Sequence, residues 1–193
     1  MELLSEADSR NGDCRNKKWT EEREYREEIM QEVSVIIPNF NGMAYLDGVL
    51  AGLECQTVNN FEVILVDNGS SDGSCAFVSA RYPWVHLIEL PENFGFCKAV
   101  NEGIKASRAP YVLLLNNDIE VTENFIEEMI SAIRRHPKAF SCAARMIQFH
   151  DRDKLDDAGN YYCALGWAYA RGKGKDIHTY EKEEKIFASC AGA

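Results

Sequence analysis

Long apolar runs are missing from this sequence: none approaches the roughly 20 residues needed to cross a bilayer. The first residues also lack the apolar core of a secretion signal, which argues against export. Positive charge is sparse. Lys and Arg number 21 against 31 acidic residues, and the formal net charge is −10 over 193 residues. A nucleic-acid partner is therefore not expected, because phosphate contacts need clustered Lys and Arg. The seven cysteines, Cys14, Cys55, Cys75, Cys97, Cys142, Cys163 and Cys190, are odd in number, scattered and without a Cys-x-x-Cys pair. Neither a zinc site nor a disulfide framework follows from them, and a reduced, cytoplasmic setting is the plain reading. Two nucleotide motifs are absent as well. Pro38-Asn39-Phe40-Asn41-Gly42 stands where a Gly-x-Gly-x-x-Gly would follow a first strand, and there is no Gly-Lys-Ser/Thr of a P-loop. Internal repeats and low-complexity tracts are lacking too.

What is present is alternation. Residues 1–32 are crowded with charge of both signs and are read as a leader, helical or disordered, without assigned chemistry. From Val33 the pattern switches. Val33–Ile37 reads as a strand stopped by Pro38, Met43–Gln56 as a helix, and Phe61–Val66 as a second strand. Ser74–Tyr82 and Phe96–Ser107 read as helices around a third strand at Val85–Leu90, and Tyr111–Leu115 as the fourth strand. Thr122 is placed to cap a helix whose stripe is Phe125, Ile126, Met129, Ile130 and Ile133. Ala139–Phe149 and the apolar segment from Ile186 read as further strands. Strands and helices in strict succession imply right-handed βαβ units and a mostly parallel sheet flanked by helices, an α/β fold of Rossmann type. A close at Ile186–Ala193 without a polar end reads as a truncated domain.

The chemistry sits where strands end. Val63–Val66 runs into Asp67, then Asn68-Gly69-Ser70-Ser71-Asp72-Gly73, and Tyr111–Leu115 runs into Asn116-Asn117-Asp118. Buried parallel strands deliver such groups to the carboxyl edge of the sheet, where α/β proteins bind ligands. Asp67 can accept hydrogen bonds from a base or ribose there, although Asp67 and Asp72 also suit plain turns. Asp118 suits Mg²⁺ or Mn²⁺, ions that take one or two protein carboxylates and fill their shell with water and phosphate. The bland alternative is a polar strand-to-helix connection. Asn93, Gly95 and Lys98 stand at a helix start that could meet an anion, or could be merely solvated.

Taken together, these blocks resemble the family 2 glycosyltransferases with their GT-A fold. The resemblance rests on Val-Ser-Val-Ile-Ile-Pro-Asn-Phe-Asn-Gly at 33–42 and Val-Asp-Asn-Gly-Ser-Ser-Asp-Gly at 66–73. It continues through Asn93-Phe94-Gly95, Ala99-Val100-Asn101-Glu102-Gly103 and Leu-Leu-Leu-Asn-Asn-Asp at 113–118. The Asn-Phe-Asn-Gly and Leu-Asn-Asn-Asp variants, with Lys154-Leu155-Asp156-Asp157-Ala158-Gly159, look most like the rhamnosyltransferase-type branch. The resemblance implies that residues 33–193 form a nucleotide-sugar-binding domain, incomplete on its acceptor side. Pro38 and Asn39 would line the nucleotide pocket and Asp67 would bind the base or ribose. Asn93 would close over the nucleotide, Lys98 would lie near the phosphates, and Asn116 and Asn117 would border the donor. Asp118 would be the metal-binding end of the family's Asp-x-Asp element, whose first acid is here Asn116.

The implied reaction moves a sugar from a UDP- or dTDP-linked donor to a glycan or lipid-linked acceptor, inverting and assisted by Mg²⁺ or Mn²⁺. It would take place in the cytoplasm or at the inner face of the membrane. The family's general base is expected beyond Ala193, and neither Asp156 nor Asp157 is assigned that role. Two other readings are a donor-binding module without turnover and a sugar nucleotidyltransferase. The second is disfavoured because Pro38–Gly42 contains no Lys or Arg to hold a triphosphate.

Overall fold

The computed structural model describes residues 31–186, which fall into two compact units dividing between Glu127 and Glu128. All but the last two residues of the charged leader, Cys14, Cys190 and the strand expected after Ile186 lie outside the described residues. Cys75, Cys97, Cys142 and Cys163 are free thiols. Among the described residues no helix is long and apolar enough to cross a membrane.

The first unit is the expected alternation: β1 (Val33–Asn39), α1 (Met43–Glu54), β2 (Phe61–Asp67), α2 (Ser74–Arg81), β3 (His86–Glu89), α3 (Phe96–Ala106) and β4 (Tyr111–Leu114). The strands form one parallel sheet in the order β3-β2-β1-β4. Central β1 and β2 are apolar almost throughout and buried, as strands covered on both faces must be. α1 buries Leu46, Val49, Leu50 and Leu53, one face at helical spacing. Each such leucine removed from water contributes about 1.5–3 kcal/mol. α3 buries Ala99, Val100 and Gly103. A Cβ on Gly103 would stand 2.4 Å from Ile36 Cγ2, so glycine is what lets this helix lie so near β1.

β1 does not stop at Pro38 as expected. It runs through the proline to Asn39, in register with Asp67 of β2. The reason is which side the missing N–H would face. The Ile36 carbonyl accepts the Leu115 N–H (3.0 Å) on the β4 side, so strand alternation turns position 38 to that side too. β4 ends at Leu114, and a residue without an N–H ends the β1–β4 ladder there while β1–β2 pairing continues. The sheet order reverses direction between β1 and β4, so the two strands part at the topological switch point.

α4 (Phe125–Arg135) follows, with Ile126 and Ile130 buried and Phe125, Met129 and Ile133 half-buried. Its start is held by Gln56. The side-chain Oε1 accepts the Ile126 N–H at 2.9 Å, and Nε2 donates to the carbonyls of Thr122 (2.7 Å) and Gly52 (3.0 Å).

The second unit carries two small antiparallel pairs. β5 (Met146–Ile147) pairs β6 (Leu155–Asp157), and β7 (Asn160–Tyr162) pairs β8 (Ala168–Ala170). The strand expected over Ala139–Phe149 is thus only two residues long. Residues 139–141, 143 and 145 are exposed, and Arg145 is drawn aside to the carbonyls of Ile177 and Thr179.

Candidate functional site

The carboxyl edge of the four-stranded sheet brings together side chains that the sequence keeps 78 residues apart. Asp67 closes β2 and is 2% exposed, and Asn39 closes β1 with the same exposure. Asn39 Nδ2 donates to Asp67 Oδ1 at 2.8 Å and also reaches Ser74 Oγ (3.1 Å) and Ser70 Oγ (3.3 Å). On its other side Asn39 Oδ1 accepts from Asn117 Nδ2 at 2.7 Å. One hydrogen-bonded row therefore spans the ends of β2, β1 and the segment leaving β4, across the switch point.

Asp67 is ionised by its partners. Burial pushes its carboxyl up, but the Ser70 hydroxyl and N–H, the Asn39 amide and the Cys75 thiol together outweigh that and hold it below the usual aspartate range. The Cys75 thiol itself is pushed up to about 12, by burial first and then by Asp67 and Glu89. It is neutral at ordinary pH and a donor, not a nucleophile.

Asp72 does the turn work that its sequence context allowed. Its Oδ2 accepts the Met43 N–H at the start of α1 (2.9 Å), while Oδ1 takes the Ser74 N–H (3.1 Å) and hydroxyl (2.5 Å) at the start of α2. The Ser74 hydroxyl is the main cause that lowers its pKa. Asn68 staples the neighbouring loop. Its Nδ2 donates to Asn93 Oδ1 (2.8 Å), its Oδ1 accepts the Phe94 N–H (3.0 Å), and Asn93 Oδ1 also accepts the Gly95 N–H (2.9 Å). Asn93 is thereby fixed beside the end of β2, with Phe94 and Phe96 about half exposed on either side of Gly95.

Pro38 is half-buried within β1. Lys98 sits in the first turn of α3, exposed, with Nζ 2.6 Å from Glu102 one turn on. Asn116 and Asn117 are half-buried and Asp118 is exposed just past β4. No group of three or more His, Cys, Asp or Glu that could hold a metal occurs among the described residues. A lone carboxylate beside amide side chains does not make a protein cage. It does fit an ion that draws its remaining oxygens from water and a diphosphate.

In the second unit Asp156 pairs with Lys173 at 3.1 Å. Asp157 keeps one buried oxygen without a hydrogen-bond partner, and burial raises its pKa. Sequence reasoning named most of the carboxyl-edge residues singly but missed Asn68, Ser70 and Ser74 as their supports. The Asx and Ser positions over residues 67–74 were the available signal.

A protein-family model described as Glycosyl transferase family 2 matches residues 34–192. The glycosyltransferase GlyG of Streptococcus pneumoniae is 30% identical over 133 residues, 67% of this chain and 42% of that protein. The cholesterol galactosyltransferase of Borreliella burgdorferi is 26% identical over 121 residues, 61% of this chain and 34% of that one. Among solved structures, S. aureus TarS 1-349 in complex with UDP-GlcNAc superimposes with a TM-score of 0.52 at 22% identity, covering 61% of this chain and 40% of that one. The mannosyltransferase PcManGT from Pyrobaculum calidifontis, in complex with GDP-Man and Mn²⁺, gives 0.50 at 19% identity, with 65% and 38% covered. These two likenesses concern the fold, which is GT-A-like. The chain spans half or less of the length of these relatives.

Proposed function

The chain belongs to glycosyl transferase family 2, and from that premise we propose that it binds a nucleotide-sugar at the carboxyl edge of its parallel sheet and serves in transfer of the sugar to a hydroxyl acceptor. The observation that carries this reading is the Asp67–Asn39–Asn117 row, which lines up an ionised acceptor and two amides at the switch point. Asp67 accepts from the donor's base or ribose in place of the Ser70 hydroxyl or Cys75 thiol that otherwise bonds it. Asn93, held by Asn68, closes over the nucleotide, and Pro38, Asn116 and Asn117 border it. Lys98 meets the phosphates from the first turn of α3.

Asp118 would hold Mg²⁺ or Mn²⁺, which when bound offsets the charge building on the departing diphosphate. Transfer is in line. The acceptor oxygen bonds to the anomeric carbon as the bond from that carbon to the diphosphate oxygen breaks, so the configuration inverts. The acceptor proton passes to a base, and none of the described residues is assigned that role. The donor nucleotide is UDP or dTDP, with rhamnose as the sugar suggested by the Asn-Phe-Asn-Gly and Leu-Asn-Asn-Asp variants. The acceptor is a glycan or lipid-linked glycan, and a lipid-linked one would bring the protein to the inner face of the membrane.

Calorimetric titration with UDP, dTDP and GDP, each with and without Mn²⁺, tests the proposal. Saturable binding of one of the first two, strengthened by Mn²⁺ in wild type but not in Asp118→Ala, is the expected result. Absence of binding by any of the three to the folded protein would overturn it.

A further inference from the structure

The family resemblance implies that Asn39 lines the nucleotide pocket, yet its side chain is buried and hydrogen-bonded within the protein. Both ends are engaged, Nδ2 toward Asp67, Ser70 and Ser74, and Oδ1 toward Asn117. An amide is usually ambiguous in which way it points, but here the polarity is dictated. Asp67 is ionised and accepts only, so Asn39 must present its NH₂ group to β2 and its carbonyl oxygen to the β4 side. Asn117 must then offer its own NH₂ to Asn39, which leaves its carbonyl oxygen as the end turned away. The charge on Asp67 thus fixes the orientation of an amide two strands over, next to Asp118.

We propose that Asn39 is a positioning residue. It holds Asp67 and Asn117 at a set spacing and with a set donor–acceptor polarity, and it does not itself touch the nucleotide. This rests on the donor-site reading above, but the hydrogen-bonded row is a property of the protein alone and can be tested without a ligand.

Asn39→Asp is the informative variant. A protonated aspartic acid at this position keeps the pattern, with its O–H donating to Asp67 and its carbonyl accepting from Asn117. An ionised one still accepts from Asn117 but offers Asp67 no donor, so two carboxylates stand side by side and push the ends of β1 and β2 apart. Carboxylates in such contact share a proton, and the pair's upper pKa is strongly raised. The other groups near position 39 leave that logic intact. Ser70, Ser74 and Asn117 do not titrate, Cys75 stays protonated, and Asp72 is reached only through Ser74.

The experiment is run on the full chain, comparing wild type, Asn39→Asp and Asn39→Ala at about pH 5.5 and about pH 8, values that bracket the upper pKa of a carboxylate pair that is also buried, where desolvation adds to the like-charge shift. Thermal unfolding is measured without ligand. The gap in Tm between wild type and Asn39→Asp should be small at the lower pH and widen at the higher one, whereas the gap to Asn39→Ala should not change with pH. UDP and dTDP affinity relative to wild type should follow the same course, with Asn39→Asp weaker by about tenfold or more at the higher pH and largely rescued at the lower. A Tm gap for Asn39→Asp that is the same at both pH values overturns the row. A widening gap with unaltered nucleotide affinity overturns the positioning role. Nucleotide binding absent in wild type, with the Tm result as expected, overturns the donor-site reading, and the positioning role with it, while the row stands.

Discussion

Gly42 passes so close to Asn117 that a Cβ at position 42 would stand 2.1 Å from Asn117 Nδ2, and 2.3 Å from Asn39 Oδ1. The backbone there has φ −102°, which any residue can adopt, so glycine is needed for space and not for conformation. Gly42→Ala should push the two amides apart. Overpacking of this kind costs on the order of 1–3 kcal/mol. Urea unfolding should show that loss, and calorimetry should show weakened nucleotide binding beyond what partial unfolding explains. Unchanged affinity would mean that the Asn39–Asn117 contact is irrelevant to the site.

Lys98 separates stability from binding. Its pairing with Glu102 is an exposed contact one turn apart on α3, screened by solvent and of little weight for stability. Lys98→Ala should therefore leave Tm nearly unchanged while weakening nucleoside diphosphates more than the corresponding nucleosides. Equal loss for both ligands would place Lys98 away from the phosphates.

Asp67 makes a prediction with a definite sign. Its folded pKa is depressed, so the stability it contributes is full above the unfolded aspartate pKa of about 3.9 and is lost as pH falls through the lower folded value. The difference in unfolding free energy between wild type and Asp67→Asn should be flat from about pH 5 to about pH 8 and shrink below about pH 4. A difference that grows on acidification would contradict the ionised, hydrogen-bonded Asp67 described above.

Most of the first unit could be read from sequence because each strand is built on a short apolar run and each helix keeps one apolar face. Asp67 and Asp118 could be named because they follow such runs, and Asn93 and Asn117 because the blocks that hold them resemble those of the family. Their mutual contacts could not. The Asn39–Asp67 and Asn39–Asn117 bonds depend on β1 lying between β2 and β4 and on a register that pairs position 39 with 67, and neither follows from periodicity. Pro38 misled in the same way. A proline ends a strand only if its missing N–H is needed, and here the side it faces is the one where β4 departs. The second unit was poorly legible because its strands are two or three residues long, too short for any alternation to show.

Gln56 was invisible beforehand, a single polar residue at the end of the expected helix, yet it is 4% exposed and makes three hydrogen bonds. Gln56→Ala leaves the Thr122 and Gly52 carbonyls and the Ile126 N–H to find other partners. Stranded buried polar groups cost about 1–3 kcal/mol each, and relaxation around a short helix start should hold the total to about 2–4 kcal/mol, read as a lower urea midpoint. Nucleotide affinity of the folded fraction should be unchanged, since Gln56 lies at the opposite end of α1 from Gly42.

The most direct test of the central claim is a titration of the isotope-labelled full chain with UDP or dTDP and Mg²⁺, followed by backbone amide NMR shifts. Shifts should concentrate at the carboxyl edge of the sheet, at residues 39–43, 67–70, 93–98 and 116–118, with the amino ends of β1, β2 and β4 silent. Saturable binding whose shifts cluster at those amino ends, or are confined to residues 128–186, would contradict it.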